Sequence, residues 1–325
     1  MRTLILGLAL MAVSLQSPAE VGEWQDADVT DKTSVTDPVK AVKAAEGQWL
    51  VFSMPVMEGT RSPCCWKGSW NGIGEVGCKL ERSHQSYGSS SRSPLTDEVV
   101  VFNRIRDGKV KDLRIFGESC PVDTGGASIV WIGDVGTDAG LDWLENVARR
   151  DEHGGALHAV ALHRSPEAGK RLYSLAAEQL REVSEEAIFW LGEARGKDGF
   201  RYLERLLEDL PRGDTRRQIN FALSQNGSAE AAELLFEISK SDPDPEQRGE
   251  AMFWLAQEYP QAAQDYLLEV IDTEADEDVL EQAVFAISQL PDGTGDAMLL
   301  ELARDAQKPR AVRRQALFWL AQSDN

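Results

Sequence analysis

Residues 249–257 read Gly249-Glu250-Ala251-Met252-Phe253-Trp254-Leu255-Ala256-Gln257, and the last five form a word that returns along the chain. It stands as FWLGE from Phe189, FALSQ from Phe221, FWLAQ from Phe253, FAISQ from Phe285 and FWLAQ from Phe318, at spacings of 32, 32, 32 and 33 residues. Two residues before each Phe lies Ala187, Ile219, Ala251, Ala283 or Ala316. Fourteen residues after each of the first four comes Leu203, Leu235, Leu267 or Leu299, and seventeen after comes Leu206, Ile238, Val270 or Leu302. A unit of this length with two apolar-periodic stretches predicts a helical hairpin. Such a hairpin cannot bury its apolar faces alone, so the units must stack. Turn residues punctuate the stretches at Pro211-Arg212-Gly213-Asp214, Asp242-Pro243-Asp244-Pro245 and Pro291-Asp292-Gly293.

Working outward, the helical character begins at Thr137, a candidate N-cap before the amphipathic set Leu141, Trp143, Leu144 and Val147. A degenerate first hairpin is expected from Leu141 to Arg150 and Ala156 to His163, giving about six hairpins over 137–325. The last word ends shortly before Asn325, so the array is expected to be complete. Asp242-Pro243-Asp244-Pro245-Glu246-Gln247-Arg248 running into Ala251 and Leu255 resembles the HEAT-like repeat family, with its acidic, proline-bearing turn followed by Arg, Ala and Leu. Lys308-Pro309-Arg310-Ala311-Val312-Arg313 into Ala316 and Leu320 is similar. The resemblance implies an all-α solenoid whose second helices line a concave face, and a role as an interaction scaffold.

On a helical wheel with Ala316 at zero, Leu320 and Val312 lie within about 40°, while Phe318 falls near 200°. The five phenylalanines therefore point away from their own hairpin's core. The resemblance places Phe189, Phe221, Phe253, Phe285 and Phe318 in a column on the concave face, flanked by Gly192, Ser224, Ala256, Ser288 and Ala321. Glu193, Gln225, Gln257, Gln289 and Gln322 run beside them. Two readings stay open: an apolar groove for a peptide or helix, or rings packed against neighbouring second helices. Trp190, Ala222, Trp254, Ala286 and Trp319 alternate large and small at one position, which predicts a Trp lying over the Ala of the next repeat.

Residues 20–136 read as a separate, small α+β domain, mainly antiparallel β. Gln48 to Pro55 alternates apolar and polar like a half-buried strand. Glu98 to Arg106 and Lys109 to Gly117 flank Asp107-Gly108, a strong type I′ hairpin signal. Further strands are expected at Val76 to Arg82 and Ser128 to Ile132, with a loop over Ser86 to Ser91. Four cysteines, Cys64, Cys65, Cys78 and Cys120, all fall in this domain. An even count suggests two disulfides in an oxidising compartment. Adjacent Cys64 and Cys65 are too close to bridge each other, so each is expected to reach one of Cys78 and Cys120. Zinc is the weaker reading, because there is no C-x-x-C pair and adjacent cysteines diverge.

Residues 1–19 have the charged start, apolar run Leu4 to Leu15 and small-residue end of a secretory signal, with cleavage expected after Ala19. The run is too short to span a bilayer, so no membrane insertion is expected after cleavage and the mature protein is expected to be secreted or periplasmic. Loss of Arg2 takes the formal charge from −20 to −21. That much negative charge repels nucleic acid and anionic lipid.

No phosphate loop, nucleophile elbow or paired catalytic carboxylates stand out, so neither enzymatic activity nor a cofactor is expected. His84, His153, His158 and His163 lack the spacing that puts two ligands on one helix face. Asn226-Gly227-Ser228 fits a glycosylation sequon, with Ser228 the better candidate as a helix cap. The expectation is an exported scaffold holding a protein or peptide partner. The alternatives are an enzyme or accessory subunit with its site around Trp66, Lys67, Trp70 and Asn71, beside Cys64 and Cys65, and a purely structural envelope protein.

Overall fold

The computed structural model describes residues 24–69, 72–75, 77–81, 87–89, 92–150, 155–178, 180–210 and 213–323. The signal-like segment 1–19, Trp70, Asn71, His84, His153 and much of the 86–91 loop lie outside the described residues, as do the side chains of Trp66 and Lys67. The chain divides into two compact units between Ser165 and Pro166.

In the first unit the elements run β1 (Trp24–Gln25), β2 (Asp28–Asp31), α1 (Pro38–Ala41), β3 (Trp49–Pro55), β4 (Cys64–Ser69), β5 (Gly72–Glu75), β6 (Cys78–Lys79) and β7 (Tyr87–Gly88). They continue through β8 (Glu98–Arg106), β9 (Lys109–Gly117), β10 (Val122–Asp123), β11 (Ser128–Asp134), α2 (Thr137–Ala148) and α3 (Gly155–Leu162). The main sheet has the order β2-β11-β3-β8-β9. The β8–β9 hairpin forms where Asp107-Gly108 predicts it, with φ of 54° and 67° at the two turn residues. Glu46 closes the turn by accepting from the backbone N–H groups of Asp107 (2.8 Å) and Gly108 (3.0 Å).

Two expectations need correction. The expected antiparallel pairing holds along β3-β8-β9 and between β4 and both β5 and β7, but the unit also has parallel pairs, β11 with both β2 and β3, and β10 with both β1 and β6. Strand β3 is buried on both faces rather than half-buried, because it sits between β8 and β11 with a layer on each side of the sheet. The apolar runs WLVF and IVWI carry that environment, since central strands covered twice lose the polar alternation. Of the strand expected over Val76 to Arg82, Cys78–Lys79 is the stretch that pairs, against β10.

Trp49, Val51, Phe102, Phe116 and Trp131 share one face of the sheet with Leu80, Val122 and all four cysteines. Two bridges join Cys64 to Cys120 and Cys65 to Cys78. The opposite face receives helices. Trp143 Nε1 on α2 donates to Asn103 Oδ1 on β8 at 2.9 Å, and Asn103 Nδ2 donates to Leu50 O at 3.1 Å. A Cβ on Gly155 would stand 2.9 Å from Leu113 on β9, so α3 also lies close on the sheet. The pair read as a degenerate first hairpin therefore belongs to the sheet unit, and the boundary of the helical unit falls after α3.

The second unit holds α4 (Pro166–Ala176), α5 (Arg181–Asp209), α6 (Asp214–Gln225), α7 (Ala229–Ser241), α8 (Pro245–Glu258), α9 (Pro260–Thr273), α10 (Glu277–Ser288), α11 (Thr294–Arg304) and α12 (Arg310–Gln322). Helix α5 is two helices end to end, broken at Gly196 with φ 48° and ψ −132°. Its first half pairs with α4 and its second with α6, and α7/α8, α9/α10 and α11/α12 complete five helical pairs among the described residues. Ala187, Ile219, Ala251, Ala283 and Ala316 are all fully buried, as the 32-residue period requires. Pro245, at the first turn of α8, follows the cap Asp244, whose side chain accepts from Glu246 N. Arg216 reaches into the same turn and pairs at 2.6 Å with buried Asp242.

Digestion without reductant should release a Cys64–Cys120 and a Cys65–Cys78 cross-linked peptide. Cys65→Ala with Cys78→Ala should cost about 3 kcal/mol of unfolding free energy, and Cys64→Ala with Cys120→Ala about 4, from loop-closure entropy alone. Four titratable thiols in the native protein would contradict the pairing.

Candidate partner-binding face

The repeated words bring the five phenylalanines together along the second helices, as the spacing predicts. Each of Phe189, Phe221, Phe253 and Phe285 is half-buried, and Phe318 is 50% exposed. Every ring of the column packs on another ring and still shows surface. Phe189 stacks on Phe221 with centroids 6.0 Å apart, and Phe253 on Phe285 at 5.8 Å.

The alternation of Trp and Ala explains how the pairs connect. Trp254 lies against Phe221 at 4.7 Å, and Trp319 against Phe285 at 4.8 Å. Each Trp therefore reaches back to the Phe beside Ala222 or Ala286 of the preceding repeat, rather than forward to the Ala itself. Edge contacts within a word, Phe189–Trp190, Phe253–Trp254 and Phe318–Trp319, close the chain of rings. Eight aromatic rings thus run continuously from α5 to α12, with a pattern that repeats every second hairpin.

Polar rows flank this ladder. On one side Gln225 Nε2 donates to Glu258 Oε1 (3.3 Å) and Gln257 Nε2 to Gln289 Oε1 (3.5 Å), while Gln289 Nε2 also donates to Ser288 Oγ (3.0 Å). The glutamines proposed from sequence therefore tie neighbouring second helices together. On the other side lies a row that sequence reading missed, three residues before each Phe: Glu186, Gln218, Glu250, Gln282 and Gln315. The i, i+4 spacing to the Trp position was the available signal. Glu186 accepts from Trp190 Nε1 at 3.1 Å and Glu250 from Trp254 Nε1 at 3.4 Å. In the last repeat, where Gln315 replaces the Glu, Trp319 Nε1 is buried without a hydrogen-bond partner.

Burial pushes the carboxyls of Glu186, Glu193 and Glu250 above the ordinary carboxylate range. The indole bonds oppose the shift at Glu186 and Glu250, whereas the neighbouring negative charge of Glu258 reinforces it at Glu193.

Between α8 and α10 the ladder opens into a groove of about 540 Å³ lined by Arg217, Glu246, Gly249, Glu250, Phe253, Gln282 and Phe285. Gly249 makes the room. A Cβ there would fall 1.5 Å from Gln282 Oε1, which lies flat over the glycine and is itself buried without a donor.

Among the described residues, the remaining sequence candidates gather into no second site. His158 is pushed down to about 4 by burial, and His163 Nδ1 accepts from Ser165 N at 3.0 Å. Asn226 of the sequon is buried, its amide donating to Gly192 O (3.3 Å) and Gly196 O (2.8 Å), and Ser228 caps α7 by accepting from Ala231 N. The sulfurs of Cys64, Cys78 and Cys120 cluster within 4.8 Å of one another, but the two disulfides occupy them.

No protein-family model matches the chain, and no curated protein matches it in sequence. Among solved structures it is similar to human deoxyhypusine hydroxylase in complex with glycerol, at 18% identity over 58% of this chain and 86% of that one, with a TM-score of 0.27. A designed armadillo repeat protein gives 17% identity over 57% and 91%, TM-score 0.26. Importin beta gives 14% over 57% and 30%, TM-score 0.28. Overlaps this loose carry no argument, and the repeat architecture rests on the chain's own helices.

Helices α5 and α6 touch at Gly192, where a Cβ would fall 2.2 Å from the backbone oxygen of Ala222. Gly192→Ala should therefore force the two apart, costing about 1–3 kcal/mol as overpacking does. Thermal unfolding with an undiminished melting temperature would show that the close approach is not required.

Proposed function

We propose that this chain is an exported scaffold that holds a partner polypeptide against the second-helix face of its helical unit. The observation that carries the reading is the ladder itself: half-exposed rings running over the second helices of five successive pairs, opened between Phe253 and Phe285 into a groove. A continuous apolar strip of that kind, rimmed by polar rows, is what an amphipathic segment needs, with rings as anchors and the rim for orientation. Solenoids present such extended surfaces because each repeat adds one rung.

Export is supported by the signal-like start and by two disulfides, which persist in oxidising compartments and are rare in reducing ones. Among the described residues no helix is long and apolar enough to cross a membrane. The high negative charge argues against nucleic acid as the partner.

Affinity capture from the cell envelope of the native host, with cross-linking to map the contact, tests the reading. Phe253→Ala and Phe285→Ala should each abolish capture. Since the rings are half-buried, each should cost about half of the ~3–5 kcal/mol of a fully buried Phe. Undiminished capture by both variants would remove the aromatic face from the function. Intact-mass analysis of the same exported protein should place its first residue at Glu20, and an uncleaved Met1 would contradict the export route.

A further inference from the structure

We propose that the segment held on this face is cationic, an arginine-bearing stretch whose guanidinium groups lie on the half-exposed rings and pair with Glu186, Glu193 and Glu250. The inference deepens the scaffold reading and rests on it.

The carboxylates supply the argument. Glu186 and Glu250 are half-buried, Glu193 stands exposed beside them, and none makes an ion pair among the described residues. A partly desolvated carboxylate without a counter-charge is costly, and natural structures normally pair it. Among the described residues Glu186 and Glu250 accept from indole N–H groups, Glu250 also feels the charge of Arg217 without pairing with it, and Glu193 faces the like charge of Glu258. The cations on the same face are already engaged. Arg217, in the groove, pairs with Asp214 and with Glu246 at 3.5 Å; Arg181 pairs with Glu185 at 2.6 Å, and Arg314 with Glu281 at 3.9 Å. The face thus carries carboxylates without ion-pair partners next to aromatic surfaces, whose π faces attract cations. A guanidinium satisfies both demands at once, because it stacks flat on a ring while its edge donates to a carboxylate. Its weak hydration also lowers the cost of entering the groove, and its aliphatic stem would lie across the exposed edges of the stacked Phe253 and Phe285 rings.

The test uses the full exported protein and three rhodamine-labelled peptides of about a dozen residues, identical except that one carries arginine, one lysine and one citrulline at alternate positions. Citrulline keeps the planar shape of arginine and removes the charge. Binding is read by fluorescence anisotropy at low and physiological salt. The arginine peptide should bind most tightly, lysine several-fold more weakly and citrulline at least roughly tenfold more weakly, with an affinity that falls as salt rises. In Glu186→Gln with Glu250→Gln the arginine peptide should lose at least roughly tenfold in affinity while the circular dichroism spectrum and melting curve stay unchanged. Glutamine keeps an oxygen that can accept the indole N–H, and Gln315 beside the unpartnered Trp319 indole shows that the fold tolerates the residue in a Trp-bearing repeat. Equal binding of the citrulline peptide, no binding of the arginine peptide, or undiminished binding by the double variant would each overturn the proposal. If the native partner is still captured by the double Gln variant but lost in Phe253→Ala, the scaffold reading stands and the cationic one falls.

Discussion

How closely successive second helices approach one another governs the helical unit. Where α5 meets α6, only a hydrogen fits at residue 192, and the Ala222 backbone fills the space a methyl group would take. At the position two residues before each Phe, the fully buried set of four alanines and Ile219 keeps the hairpins equally tight. Ring spacing follows from this approach. Phenyl rings on helices so close together meet at 5.8 to 6.0 Å, in the range where aromatic pairs attract beyond their buried area. Wider spacing would leave five isolated aromatic side chains instead of a ladder.

The ladder is not uniform, and its irregularity is chemically informative. Direct Phe–Phe stacking joins α5 to α6 and α8 to α10, while a Trp makes the remaining joins. Every buried indole needs an acceptor for its N–H, and two of the three take it from a glutamate one turn earlier. Glutamate is thereby drawn into the edge of an apolar strip where a neutral residue would be expected. The same choice that satisfies the indoles leaves negative charge on the face, so the packing requirement and the electrostatic character of the surface have one origin.

Much of the helical unit was legible because its information is local and repeated: Ala251, Phe253, Leu255 and their counterparts fix the period, and Asp244-Pro245 marks a helix start. Phe column and glutamine row could be placed by wheel geometry, although their dual role as packing and surface could not, since exposure depends on neighbours several helices away. The first unit was harder to read. The β8–β9 hairpin is encoded in two adjacent residues, Asp107 and Gly108, but the pairing of Val130 with Leu50 joins strands far apart in sequence. No local pattern specifies that β11 inserts between β2 and β3. Trp143 shows the same limit for a helix: its stripe announces burial, while Asn103, the acceptor that docks it on the sheet, is indistinguishable in sequence from any surface Asn.

Gly196 joins two helical pairs through one residue, at which the chain bends so sharply that a Cβ on Gly199 would fall 1.8 Å from Leu191 O. Elsewhere a helical pair is joined to the next through a loop such as Asp242-Pro243-Asp244, which can open without disturbing the helices on either side. At Gly196 the break occupies a single residue, and Asn226 from α6 holds it shut through Gly192 O and Gly196 O. The first two pairs are therefore tied at their junction by the Asn226 side chain as well as by the chain itself, and are expected to open together as one cooperative foldon in an otherwise nearest-neighbour array. Amides on both sides of Gly196 should exchange with solvent at a common rate, set by the opening of the two pairs together.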